Sequence, residues 1–103
     1  MPVTSRPSAY LIGAESLLIQ CCDVLFQNDF EILGIVSAQP AIVSWAATRN
    51  LPSLQLDAEL ANVLASRSPD FIFSIANLAI LPSEVVTAAT QGTINFQIGR
   101  AHV

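Results

Sequence analysis

A regular alternation limits the folds open to this chain more than any other feature. Five short apolar runs are separated by stretches with helical spacing or helix-start signals. The runs cover residues 9–13 (AYLIG), 30–37 (FEILGIVS), 51–54 (LPSL), 71–75 (FIFSI) and 93–96 (TINF). Most are apolar on both alternating faces, which marks strands covered by helices on either side rather than half-wet antiparallel ones. Between them, Leu17, Leu18, Cys21, Val24 and Leu25 recur at helical spacing, with Gln20, Asp23 and Gln27 as the wet stripe of a helix over 17–28 that Ser16 caps. Pro40 starts a second helix over 40–50, because its missing N–H is harmless in a first turn. Asp57 caps a third through Ser66, with Leu60, Val63 and Leu64 inward, and Pro82 opens a fourth that Gly92 ends. Such an alternation predicts a Rossmann-like three-layer α/β/α fold with a mainly parallel sheet.

Composition narrows the function classes. The chain has 103 residues, so it holds at most one domain, and its 52% apolar and 12% charged content marks it as globular. It contains no Lys, its net charge is −4, and its four Arg (Arg6, Arg49, Arg67, Arg100) are scattered. Nucleic-acid binding by phosphate neutralisation is not expected. Nor is a membrane span, since no apolar run nears the roughly 20 residues required. The first residues lack a signal-peptide core, and a cytoplasmic location is the default expectation. Cys21 and Cys22 are neighbours in a helix, a poor geometry for a mutual disulfide, and read as core fillers. With one His besides, the chain offers no metal set.

In parallel sheets of this type, ligands bind beyond the carboxyl ends of the strands. The candidates are therefore Gly13, Ala14, Glu15 and Ser16 after strand one, residues 76–81 after strand four, and Asn95 onward. The first loop has one glycine, not the three of a dinucleotide fingerprint, and Glu15 would oppose a phosphate. Asn77 is most simply a turn residue holding its own backbone. Asn95 stands in an apolar β frame, where an amide needs a partner or a purpose, and an Asn fixed at a strand end can donate to an oxyanion.

The stretch from Asp70 to Gln97 resembles the N-terminal half of the folate-dependent formyltransferases. The resemblance rests on Pro69-Asp70 before a buried strand, Ile80-Leu81-Pro82 closing a hydrophobic loop, and Asn95-Phe96 where the family carries Asn-x-His. Gly13, the run Gly34-Ile35-Val36-Ser37 and Leu51-Pro52 extend it over residues 9–96. The wording LLIQC, the Trp45-Ala46 pair and FSIANLAILP look most similar to formyltransferase-like domains at the N-termini of nonribosomal peptide synthetases. The resemblance implies transfer of a formyl group from 10-formyltetrahydrofolate to an amine, small-molecule or carrier-bound. It places the oxyanion donor at Asn95, the pterin-receiving loop at Leu78, Ala79 and Leu81, and the acceptor side at Gly13, Ala14, Glu15 and Ser16.

At the position of the family's catalytic His stands Gln97, whose amide cannot move a proton near neutral pH. The Asp that follows in the family is missing as well, so the chain as written is expected to be inactive. Residues 98–103 (IGRAHV) are what ATC GGA AGA GCA CAC GTC encodes, a widely used sequencing-adapter read whose next triplet, TGA, is a stop. The adapter begins with AG just ahead of that ATC, so the Gln97 codon is a gene-derived C followed by adapter AG; His codons also begin with C, and Gln97 is expected to stand where the gene encodes His. On this reading residues 1–8 are a lead-in, 9–97 a partial formyltransferase domain and 98–103 a non-native tail. Strand five is expected to leave a sheet edge open to self-association. The alternative is a non-catalytic α/β docking or ligand-binding domain within a larger peptide-synthetase-like protein, with Asn95 structural.

Overall fold

The computed structural model describes residues 6–76 and 81–96. Five strands, β1 (Ser8–Ile12), β2 (Glu31–Val36), β3 (Ser53–Leu54), β4 (Phe71–Ile75) and β5 (Gly92–Phe96), form one sheet in the order β3-β2-β1-β4-β5. Every pairing is parallel. The chain starts in the middle, steps twice to one side, then returns across β1 and steps to the other. Right-handed crossovers then force the outgoing helices onto one face and the returning ones onto the other. α1 (Ser16–Gln27) and α2 (Pro40–Thr48) accordingly bury Leu18, Cys22, Ile42 and Ala46 against Leu11, Ile35 and Phe73. α3 (Leu60–Arg67) and α4 (Ser83–Val86) bury Leu60, Leu64 and Val85 against Tyr10, Ile12 and Ile72 on the opposite face. The result is the expected three-layer α/β/α fold. No helix among the described residues is long and apolar enough to cross a membrane.

A register shift in β1 between Ala9 and Tyr10 sets Tyr10 opposite Gly34. There a side chain on Gly34 would begin 2.9 Å from Cε1 of the Tyr10 ring. The glycine in the middle of an apolar strand thus exists to seat an aromatic ring, a packing reason rather than a turn.

Local expectations fail where neighbours override propensity. Ser16 is the first helical residue of α1; Glu15 is its N-cap and makes no side-chain capping bond. Asp57 does not cap α3, which begins at Leu60 after Glu59. Its carboxylate instead accepts the Glu59 N–H at 3.0 Å, closing a separate turn. Val63 points sideways and is exposed, while Leu60 and Leu64 carry the burial. α4 spans only Ser83–Val86, because Thr90 N–H donates to the Pro69 carbonyl and Gln91 N–H to that of Asp70, drawing the chain into β5. Gly92 therefore opens β5 and does not close a helix.

At the amino end of the sheet Asp70 acts as a clasp. Its carboxylate accepts the Ser8 N–H at 2.8 Å and the Thr90 hydroxyl at 3.3 Å, tying together the starts of β1 and β4 and the lead into β5. Charge-assisted bonds of this kind are worth about 2 kcal/mol. Asp70→Ala is expected to lower the unfolding free energy in urea by about that amount.

Both cysteines are free thiols; Cys22 is buried and Cys21 half-buried. Burial pushes the Cys22 thiol up to about 11, with Asp23 adding to the rise and Arg49 opposing it. Burial raises Cys21 too. A raised thiol means the folded state holds its proton longer than the unfolded chain. The associated stability is intact below the ordinary value of 9.0 and is lost as pH rises from there through about 11. At pH 8 a thiol-exchange reagent is expected to modify Cys21 before Cys22 in the native protein, with both equal once urea unfolds it; native modification of Cys22 first would contradict this burial.

Candidate active site

The parallel sheet brings one residue of each strand into a single row at its carboxyl end. In register these are Leu54 of β3, Val36 of β2, Ile12 of β1, Ser74 of β4 and Asn95 of β5. At the usual strand spacing, Asn95 lies about 10 Å from Ile12 across the sheet. β1 and β4 are the neighbours at which the chain reverses direction, the point where the following loops diverge and leave a crevice.

Gly13 sits in that divide. Its N–H donates to the Val36 carbonyl at 3.1 Å, and a Cβ on it would lie 2.7 Å from the Ile75 carbonyl oxygen. A glycine is therefore required for the ends of β2, β1 and β4 to close together. Ala14, Glu15 and Ser16 follow, exposed, at the start of α1. On the β4 side the chain leaves the sheet through Ala76, whose φ of 50° is left-handed and which donates its N–H to the Phe96 carbonyl at 2.7 Å. A non-glycine residue held there costs about 1–2 kcal/mol. The same backbone conformation recurs at Asp29, Asn50 and Ser68, where α1, α2 and α3 end.

Leu78, Ala79 and Gln97 lie outside the described residues. Leu81 is partly buried on the α3–α4 face of the sheet. The Thr93 hydroxyl donates to the Val86 carbonyl of α4 at 2.6 Å, so Thr93 faces the same layer. Asn95, two residues on, shares that face by the alternation of a strand, while Phe96 turns to the other and stacks on Phe73 at 5.9 Å. Thus Leu81 and Asn95 belong to one face. Asn95 is exposed, however, so water can satisfy its amide. The burial argument for a special role does not apply; its placement at the carboxyl end does.

Two cavities stand out among the described residues. One, of about 340 Å³, is an apolar groove between α1 and the outer strands, lined by Leu17, Cys21, Val24, Leu25, Phe73 and Phe96. It explains why Val24, expected in the core, is exposed: no described element covers that part of the face. The groove opens on the opposite face of the sheet from Asn95 and offers little polar chemistry. The other, a cleft of about 230 Å³ at the ends of β1, β2 and β3, is lined by Gly13, Ala14, Ser37, Ala38, Gln55 and Leu56. Sequence reasoning reached Gly13 and Ala14 but missed Ser37 and Gln55. They follow β2 and β3, and the only signal for them was the general rule that strand ends face ligands.

The described arginines gather at one end of the sheet. Arg6 precedes β1, and Arg49 and Arg67 stand at the ends of α2 and α3, so all three lie at the amino end of the sheet. Arg49 pairs there with Asp23 and covers the Phe26 and Trp45 rings. Glu15, Asp57, Glu59 and Glu84 all precede or open helices at the carboxyl end. Among the described residues that end carries acids and no base, and no group of side chains that could hold a metal ion is present.

Solved structures share the fold of this chain. Formyltetrahydrofolate deformylase from Burkholderia mallei ATCC 23344 superposes with a TM-score of 0.68 at 21% identity, covering 88% of this chain and 38% of that one. The formyltetrahydrofolate deformylase from Pseudomonas syringae pv. tomato str. DC3000 gives 0.74 at 15% identity, covering 88% and 35%. That from Pseudomonas putida KT2440 gives 0.69 at 14% identity, covering 92% and 39%. The chain thus spans less than two fifths of the length of these proteins, and what it shares with them is the fold. No protein-family model and no curated protein matches the chain.

Proposed function

We propose that this chain is the folate-binding part of an enzyme that removes the formyl group from 10-formyltetrahydrofolate and passes it to an amine. The observation that carries this reading is the placement of Leu81 and Asn95 on one face, at the carboxyl ends of adjacent strands, beside the Gly13 closure. The likeness of the fold to formyltetrahydrofolate deformylases supports it.

In this proposal the loop through Leu78, Ala79 and Leu81 receives the pterin ring by apolar contact and backbone hydrogen bonds. The Asn95 amide donates to the oxygen that becomes negative as the amine adds to the formyl carbon. Proton transfer belongs to residue 97, and Gln97 cannot perform it, so the chain as written is inactive. The parent gene encodes His there, and residues 98–103 are adapter-derived. The wording shared with peptide-synthetase formyltransferase domains supports a carrier-bound acceptor and a cytoplasmic setting.

The binding half is tested on the chain itself. On titration with 10-formyltetrahydrofolate, NMR shifts are expected at Ala76, Leu81 and Asn95; shifts confined to the apolar groove, or none, would overturn the reading. The catalytic half needs the parent gene. A genomic read continuing through Gly99 and Arg100 would remove the case for a native histidine in place of Gln97. In the completed protein, Asn95→Ala is expected to lower kcat by about 10²–10³.

Self-association is a further part of the proposal. Gly92 N–H donates to the Asp70 carbonyl and Phe96 accepts from Ala76, so Thr93 and Asn95 direct their backbone groups away from β4. The strand carries no charge to discourage pairing at that edge. Ile94→Lys is expected to shift the chain toward monomer in sedimentation at matched concentration.

A further inference from the structure

We propose that the apolar groove beside α1 is an interface between two copies of this chain, each laying its α1 antiparallel in the groove of the other about a two-fold axis near Cys21. This surface is separate from the formyl-transfer site and from the edge of β5.

α1 carries more apolar surface than its own sheet covers. Leu18 and Cys22 are buried against the sheet. Leu17, Cys21 and Val24 form a second stripe at i, i+4 and i+7, a helix face of its own. Leu17 and Cys21 are half-buried, and Val24 is 54% exposed. The stripe walls the groove, whose floor is Phe73, Ile75 and Phe96. Ile94 pairs with Phe73 and Phe96 with Ile75, so all four share one face of the sheet. Strands apolar on both faces belong in a sheet covered on both. At β5 α4 covers one face, and among the described residues nothing covers the other, where Ile94 and Phe96 are exposed.

Shape and charge select a second copy. A two-fold interface needs a patch complementary to itself. Here ridge and hollow lie side by side: Val24 stands on α1, and the groove of about 340 Å³ opens next to it. Antiparallel packing sets Leu17 against Val24 of the partner subunit and brings Cys21 close to Cys21 of the partner subunit at the axis. No charged side chain lines the groove. Asp23 of α1 is paired with Arg49 at the end of α2, on the helix's other flank. Two chains of net charge −4 can therefore meet here without burying an unpaired charge. A strongly acidic or basic partner would find nothing in the groove to pair with.

Area sets the strength. α1 has 12 residues and is therefore about 18 Å long and about 10 Å across. Each helix-in-groove contact then buries about 180 Å² per side, and the two together about 700 Å², which is the weak, transient class. The dimer is expected to build up with concentration and to dissociate on dilution.

The test is a concentration series of the chain as it is, followed by sedimentation. Val24→Arg is expected to weaken the dimer at least tenfold; the side chain is exposed in the monomer, so the circular dichroism spectrum stays that of the parent. A short bis-maleimide is expected to join two chains through Cys21, and Cys21→Ser to abolish the product. Pairing through the edge of β5 gives the opposite results. It leaves the two α1 helices at least five strand spacings apart, about 24 Å and out of reach of the linker, and it is indifferent to Val24→Arg. A dimer with those properties would overturn the inference. So would a chain that stays monomeric at every concentration, which would leave the groove to a segment of a longer protein. Failure of the formyl-transfer reading is seen separately, in the folate titration.

Discussion

Replacement of Gly13 by valine is expected to cost about 3 kcal/mol of unfolding free energy and to disrupt the site at the same time. The first added carbon would meet the Ile75 carbonyl oxygen at 2.7 Å and Leu18 Cδ1 at 3.2 Å. The leucine methyl can move. The carbonyl cannot, because it belongs to a central strand paired on both sides. Relief must come from separating the ends of β1 and β4, which weakens the Gly13–Val36 hydrogen bond and opens the divide between the cleft and the Asn95 row. Urea unfolding measures the first effect, and loss of the Leu81 shift on titration with 10-formyltetrahydrofolate measures the second. Gly13→Ala should lie between the two proteins. A valine variant as stable as the parent would show that the closure is not rigid.

Tyr10→Ala is expected to be costlier, about 4 kcal/mol, a large part of the total stability of a domain this size. The ring is 2% exposed and packs among Ile72, Leu60 and Leu64 on one face of the sheet. Its seat on Gly34 makes a sharper test possible. Gly34→Ala alone places a methyl 2.9 Å from the ring and 3.2 Å from the Pro52 carbonyl oxygen, and should cost about 1–3 kcal/mol. With Tyr10 already truncated, that same methyl enters the vacated space. The second substitution is then expected to cost little, or to recover stability, giving a coupling of about 1 kcal/mol or more in a double-mutant cycle. Strict additivity would mean that the glycine serves some purpose other than seating the ring.

Much of the fold was legible because its elements are dictated locally. FIFSI at Phe71–Ile75 reads as a strand at its observed bounds, since four of its five residues are apolar and either face can be covered. Pro40 starts α2 where its ring permits. The site was partly legible for the same reason: Gly13 ends a run of apolar residues, and a residue after a strand in such a sheet faces the ligand edge. Helix ends were less legible, because Asp57 spends its carboxylate on the Glu59 N–H in a turn ahead of α3, and Ser16 lies inside α1 rather than before it.

What the sequence determined by itself is thus the kind and order of elements, through the period of apolar residues and the punctuation of Pro and Gly. Tertiary structure alone decided that β1 lies between β2 and β4, because strand order depends on contacts between residues far apart in the chain. From that order follow the layer each helix joins and the row from Leu54 to Asn95. It also decided that Ser37 and Gln55 share a cleft with Gly13, and that the three described arginines stand at the amino end. In the linear chain those arginines are far apart; parallel strands gather them, because every loop after a strand goes to one end and every loop after a helix to the other.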